Sequence, residues 1–167
     1  MISKGSILIV DDEADLRESL RMTLQPMYDV NTAENGQEAI NFISQEKVDL
    51  VTLDLNMPGL WGIEVLQEIK KLQPDIEVMI VTGYGTLANA QEAIRFGAGG
   101  FVSKPFTVAD IITGASKAIE RRNQNLKIQR FNPANSRLRS PLLRIPKLRQ
   151  RLFRNYHLGL SPQSFEE

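Results

Sequence analysis

Asp11 and Asp12 follow the apolar run SILIV, Asp54 ends the run VDLVTL, Thr82 follows IEVMIV and Lys104 follows FVS. Each is a polar or charged side chain at the end of a short apolar stretch. If those stretches are parallel strands, their carboxyl ends share one edge of a sheet, where open α/β proteins place their chemistry. Three carboxylates gathered there repel one another and raise one another's pKa unless a cation neutralises them. The chain has no cysteine, and its single histidine, His157, lies far away in sequence, so the available ligands are oxygens. Oxygen ligands with room for water select Mg²⁺, which commonly takes one or two carboxylates together with phosphate oxygens. A hydroxyl from Thr82 and an ammonium from Lys104 suit phosphoryl oxygens. The set describes phosphoryl transfer, with Asp54 as the attacking carboxylate.

The elements that must position these groups are legible in the periodicity. Apolar runs over Ser6–Val10, Tyr28–Thr32, Val48–Asp54, Ile76–Val81 and Phe101–Ser103 predict five strands. Between them the period changes to that of a helix. Leu16, Leu20 and Leu24 mark a first helix ended by Pro26, and Ala39, Ile40 and Ile43 a second after Asn35-Gly36. Ile63, Leu66, Ile69 and Leu72 mark a third closed by Pro74, and a fourth covers Leu87–Phe96. Thr107 is a good N-cap for a fifth, through Ile111, Ile112, Ala115 and Ile119. Strands and helices alternating at this spacing predict an α/β fold, a doubly wound parallel sheet with helices on both faces.

Composition divides the 167 residues unequally. Residues 1–120 hold nine Lys and Arg against 18 Asp and Glu, whereas 121–167 hold 11 against two, giving net charges of −9 and +9. The expected organisation is an acidic globular domain over residues 1–121 and a basic extension over 122–167. In the extension Pro133, Pro141 and Pro146 interrupt any long helix, so it reads as a linker plus a short amphipathic helix within Leu142–Tyr156. It holds no second apolar core large enough for a helix-turn-helix output domain, which disfavours nucleic acid as a partner. No apolar run approaches the ~18 residues that span a bilayer, the N-terminus has no cleavable signal pattern, and cysteine is absent, so a cytoplasmic protein is expected.

The motifs ILIVDDE, VTLDLNMPG, VTGYG and FVSKPF stand in an order and spacing that resemble the response-regulator receiver domain of bacterial two-component signalling, over roughly residues 5–121. The resemblance implies a flavodoxin-like, chemotaxis-regulator-like fold with sheet order 2-1-3-4-5. It implies that Asp54 accepts a phosphoryl group from the histidine of a sensor histidine kinase. It further implies that Asp12 ligates Mg²⁺ directly, that Asp11 acts mainly through water, and that the backbone carbonyl of Asn56 completes the protein's share. Thr82 and Lys104 would contact the phosphoryl group, and Phe101 would turn inward as Thr82 moves toward it. Phe at that position in place of Tyr drops a hydroxyl contact and keeps the burial of a ring. Gly83 leaves access to the acyl phosphate open. The switch would change the surface of the fourth helix, fifth strand and fifth helix, through which a homodimer or a partner forms.

Taken singly, each group has an ordinary structural explanation. Asp-Asp before a helix caps it and complements its dipole, Lys-Pro is an extended loop, and Thr82 is a plain strand end. Trp61, after the Pro-Gly turn, reads as a partly exposed surface residue, Met57 and Met79 as core or rim fillers, and His157 as a solvated side chain. Two other functions compete with the signalling switch. An aspartyl-phosphate phosphohydrolase would need an acid two residues after its nucleophile, where this chain has Asn56. A nucleic-acid or protein-binding module would act through the basic tail.

Overall fold

In the computed structural model, residues 4–83 and 87–131 are described, all within one unit that ends at Phe131. Five strands alternate with five helices: β1 (Ser6–Val10), α1 (Ala14–Leu24), β2 (Asp29–Ala33), α2 (Gly36–Gln45), β3 (Leu50–Leu53), α3 (Gly62–Leu72), β4 (Glu77–Thr82), α4 (Leu87–Arg95), β5 (Gly100–Ser103) and α5 (Val108–Phe131). The sheet is wholly parallel in the order β2-β1-β3-β4-β5, as expected. β1, β3 and β4 are central, and their residues are buried on both faces apart from Ser6 at the start of β1. That double burial explains the near-continuous apolar runs.

Strand alternation separates two cores. Leu8, Val10, Val51, Leu53, Val78 and Ile80 pack with Ala39 and Ile43 of α2, Val65, Leu66 and Ile69 of α3, and Ala93 of α4. Ile7, Ile9, Leu50, Met79 and Val81 pack on the other face with Leu20 and Leu24 of α1 and Ile111, Ala115 and Ala118 of α5. Continuing the same alternation, Asp11 and Asp54 leave their strands toward the α1–α5 face. Local signals start the helices. The Glu38 N–H donates to Asn35 Oδ1 at 2.8 Å, and the Asp110 N–H to Thr107 Oγ1 at 3.2 Å, while Asp110 Oδ2 accepts from the Thr107 N–H at 2.8 Å.

The fifth helix runs ten residues past the expected boundary at 121, reaching Phe131. Arg121 and Arg122, the first residues of the basic stretch, are spent on acids at the strand starts. Arg121 Nη2 meets Glu77 Oε2 at 2.6 Å, and Arg122 Nη1 meets Asp49 Oδ1 at 2.5 Å. Further along, Gln129 Nε2 donates to Asp75 Oδ1 at 3.1 Å. Asn132-Pro133 follows Phe131 in the sequence. The amphipathic segment expected within 142–156, and His157, lie outside the described residues.

Two glycines are required by close approach. A Cβ on Gly36 would overlap Val65 Cγ2, and one on Gly62 would overlap Leu55 Cα and stand 2.7 Å from the Asp54 carbonyl oxygen. At a free helix position Gly→Ala stabilises by up to about 1 kcal/mol. At Gly62 the sign reverses, because backbone must move: Gly62→Ala is expected to destabilise by roughly 1–3 kcal/mol. The check is the urea midpoint at unchanged m-value.

Candidate functional site

The strand ends converge. Asp11 directly follows β1 and Asp54 directly follows β3, and the two are 1% and 4% exposed. The Asp54 N–H donates to the Val10 carbonyl at 3.0 Å and the Asp11 N–H to the Ala33 carbonyl at 3.3 Å, so sheet bonding holds both acids. Lys104, one residue beyond β5, reaches back across the edge. Its Nζ donates to Asp11 Oδ2 at 2.8 Å, Asp54 Oδ2 at 2.9 Å and Glu13 Oε1 at 3.1 Å. Its backbone N–H donates to the Thr82 carbonyl at 2.9 Å, and the Lys104-Pro105 peptide is cis. Thr82 is fully buried, and its side chain hydrogen-bonds the Asp54 carboxylate. Phe101 is half-buried against the core on the α2–α3–α4 side.

The two buried carboxylates are tuned in opposite directions. Burial raises the pKa of Asp11, and its bonds with Lys104 and the Glu13 N–H do not offset this, with the Asp54 charge adding to it. Burial also opposes the charge on Asp54. There the Asn56 N–H at 3.0 Å, the Lys104 ammonium and Thr82 outweigh it and hold the carboxyl below the ordinary aspartate range. Burial likewise disfavours the charge on Lys104, yet its bonds to Asp11 and Asp54 hold the proton more firmly than in a free lysine.

One carboxylate oxygen from each of Asp11, Asp12 and Asp54 lies within 4.8 Å of the others. Two oxygens on one Mg²⁺ at roughly 2 Å are roughly 3 Å apart when adjacent and roughly 4 Å apart when opposite. The triad is therefore near a coordinating arrangement that a modest closing of its oxygens would complete, and its all-oxygen donor set fits a hard cation. Asp12 is exposed and has no hydrogen-bond partner among the described residues, which leaves its carboxylate available as a ligand. Asn56 is exposed beside the cluster. Gly83 is exposed, and among the described residues a Cβ there would meet Lys104 Cβ at 3.9 Å, an ordinary contact.

Capping does not account for the acids after β1. Glu13 occupies the N-cap of α1 without a side-chain cap bond, and its carboxylate turns to Lys104 instead. Read from the sequence as a helix-capping acid, Glu13 joins the site through that bond. Arg17, whose Nη1 donates to the Asp11 carbonyl at 2.6 Å, is a residue that the sequence does not single out. It stands in the first turn of α1 among ordinary helix-surface charges and carries no sequence signal. Trp61 is 68% exposed and Met57 and Met79 are buried, as expected.

A family model described as the response regulator receiver domain matches residues 7–116. The chain is 38% identical over 112 residues to the sporulation initiation phosphotransferase F of Bacillus subtilis, covering 66% of this chain and 90% of that protein. It is 31% identical over 140 residues to the C4-dicarboxylate transport transcriptional regulatory protein DctD of Rhizobium meliloti, covering 81% of this chain and 30% of that protein, so it spans less than a third of that relative's length. A CheY-like receiver domain crystal structure from Methanospirillum hungatei superposes with a TM-score of 0.72 at 28% identity, covering 74% of this chain and 99% of that one. No helix among the described residues is long and apolar enough to cross a membrane. With this fold, these motifs and these relatives, the chain belongs to the response regulator receiver domain family of two-component phosphorelay signalling.

Proposed function

We propose that Asp54 is the phosphoacceptor of this chain and takes its phosphoryl group from a phosphohistidine of a sensor kinase. The single observation that carries the reading is the environment of Asp54: buried, yet ionised more readily than an ordinary aspartate, and opening onto a cluster of oxygen ligands. An Asp54 carboxylate oxygen forms the new bond to phosphorus as the P–N bond breaks, and the electron pair stays on the departing imidazole nitrogen. Asp11, Asp12, Asp54 and the backbone carbonyl of Asn56 would hold Mg²⁺, which when bound neutralises charge on the phosphoryl oxygens. Lys104 contributes a second positive charge at the same oxygens, and Thr82 a hydroxyl donor. Small acyl phosphates serve as donors in the same way, and turnover of the aspartyl phosphate is slow because no acid stands where Asn56 does.

Phosphorylation favours one of two arrangements of Thr82 and Phe101, which by strand alternation face the same side of the sheet from adjacent strands. The change alters the surface of α4, β5 and α5, on which a homodimer or a partner forms. The receiver domain carries α5 to Phe131, and a basic extension beyond it supplies further contact to a protein partner.

Incubation with acetyl phosphate and Mg²⁺, followed by intact mass measurement, is expected to give one labile phosphoryl adduct on the wild-type chain and none on Asp54→Asn. An equal adduct on the variant would overturn the assignment. Independently, Mg²⁺ alone should raise the melting temperature. A ligand at one hundred times its Kd stabilises by about 2.7 kcal/mol, and Asp12→Asn should remove most of that rise, read by calorimetry with and without the ion.

A further inference from the structure

Trp61 is the chain's single tryptophan, and at 68% it is the most exposed large apolar side chain among the described residues. An indole covered by a partner removes on the order of 200 Å² from water, and here the domain leaves most of that surface uncovered. Its backbone, by contrast, is fixed. Gly59 turns the chain at φ +95°, the Trp61 N–H donates to Glu64 Oε2 at 3.3 Å, and the Gly62 N–H donates to the Leu55 carbonyl at 3.3 Å. Gly62 abuts the backbone of Asp54 itself, with room for no Cβ. One peptide link is 3.8 Å, so the Cα of Trp61 lies within roughly 8 Å of the Asp54 carbonyl. Ile94 in the last turn of α4 and Ile128 near the end of α5 are also exposed, but as single residues they need no special account, and Val108, the first residue of α5, is a smaller exposed side chain.

The occupant follows from geometry and charge. A protein that hands a phosphoryl group to Asp54 must centre its surface there. A standard interface covers roughly 800 Å² per partner, a disc of roughly 16 Å radius, so its footprint takes in Trp61. A small acyl phosphate has no such footprint. Glu64, half-buried in the first turn of α3, is the acid bonded beside Trp61, while exposed Asp12 and Glu13, the latter paired with Lys104, lie at the strand-end cluster around Asp54. The matching surface is apolar at its contact with the indole and basic around it. We propose that Trp61 is the anchor by which a phosphohistidine-bearing donor protein with a basic-rimmed docking face seats itself over Asp54. The inference rests on Asp54 being the phosphoacceptor.

The test compares the full chain with Trp61→Ala and Trp61→Phe against two donors. One is acetyl phosphate with Mg²⁺. The other is a panel of purified sensor histidine kinases from the encoding organism, autophosphorylated with radiolabelled ATP, from which the fastest donor to wild type is taken. Removal of an anchor typically costs on the order of tenfold to thirtyfold in binding. Trp61→Ala should raise KM for that kinase by this factor, with the saturated transfer rate and acetyl phosphate labelling unchanged, and Trp61→Phe should recover most of the loss. An unchanged KM overturns the proposal, as does a parallel fall in acetyl phosphate labelling. Labelling of wild type by acetyl phosphate but by no kinase overturns the anchor and leaves the phosphoacceptor standing. Labelling by neither overturns both.

Discussion

The Lys104 ammonium, lodged between two buried carboxylates that belong to different strands, is the interaction on which the arrangement depends. Asp11 and Asp54 present oxygens no more than 4.8 Å apart. At an effective dielectric near 20, two like charges at that distance repel by roughly 3 kcal/mol. An ammonium bonded to both, at 2.8 and 2.9 Å, gains more from each attraction than the pair loses by repulsion. It does not offset everything. Asp11 still titrates higher than a free aspartate while Asp54 titrates lower, because the Asn56 N–H and Thr82 donate to Asp54 in addition to Lys104. The site thereby separates two acids of the same type into an easily ionised carboxylate and a neighbour whose charge a further cation would stabilise.

That separation needs the sheet. Lys104 lies 93 residues from Asp11 and 50 from Asp54 in sequence. Only parallel strands in the order β2-β1-β3-β4-β5 bring the ends of β1, β3 and β5 to one edge, with Thr82 of β4 between the last two. Central placement of β1, β3 and β4 buries the acids' flanks. The strand alternation that sends Ile9 and Leu50 into one core sends Asp11 and Asp54 out on the same face above it. Gly62 then lets the first turn of α3 close against the backbone of Asp54 and Leu55. Nothing larger fits there, which couples the position of α3 to that of Asp54.

Most of this was legible in the sequence because strands buried on both faces leave uninterrupted apolar runs, and a charged residue ending such a run stands out. Strand limits shifted by one or two residues, as at β2, which begins at Asp29 rather than Tyr28, since an edge strand has a weaker pattern. The change in charge at 121 does not mark the end of α5, which continues to Phe131. Arg121 and Arg122 look like the start of a basic tail, yet they pair with Glu77 and Asp49, acids whose partners lie 44 and 73 positions away along the chain. Pairings over such separations leave no local mark. The same holds for Glu13 and Arg17, whose contacts with Lys104 and Asp11 depend on the angle at which α1 leaves the sheet.

The clamps on α5 bear on how a change at Asp54 spreads. Beyond the sheet, α5 is tied to the β3 and β4 starts through Arg122, Arg121 and Gln129, and at its other end it is capped by Thr107 with Asp110. α4 buries less of its surface. Among its residues with described side chains only Ala93 is fully buried, and Ile94 is 65% exposed. Elements with few buried apolar contacts open or shift at the lowest free energy. Under the proposed switch, a displacement of Thr82 and Lys104 at the ends of β4 and β5 would reach half-buried Phe101 and the thinly buried α4 more readily than the clamped α5.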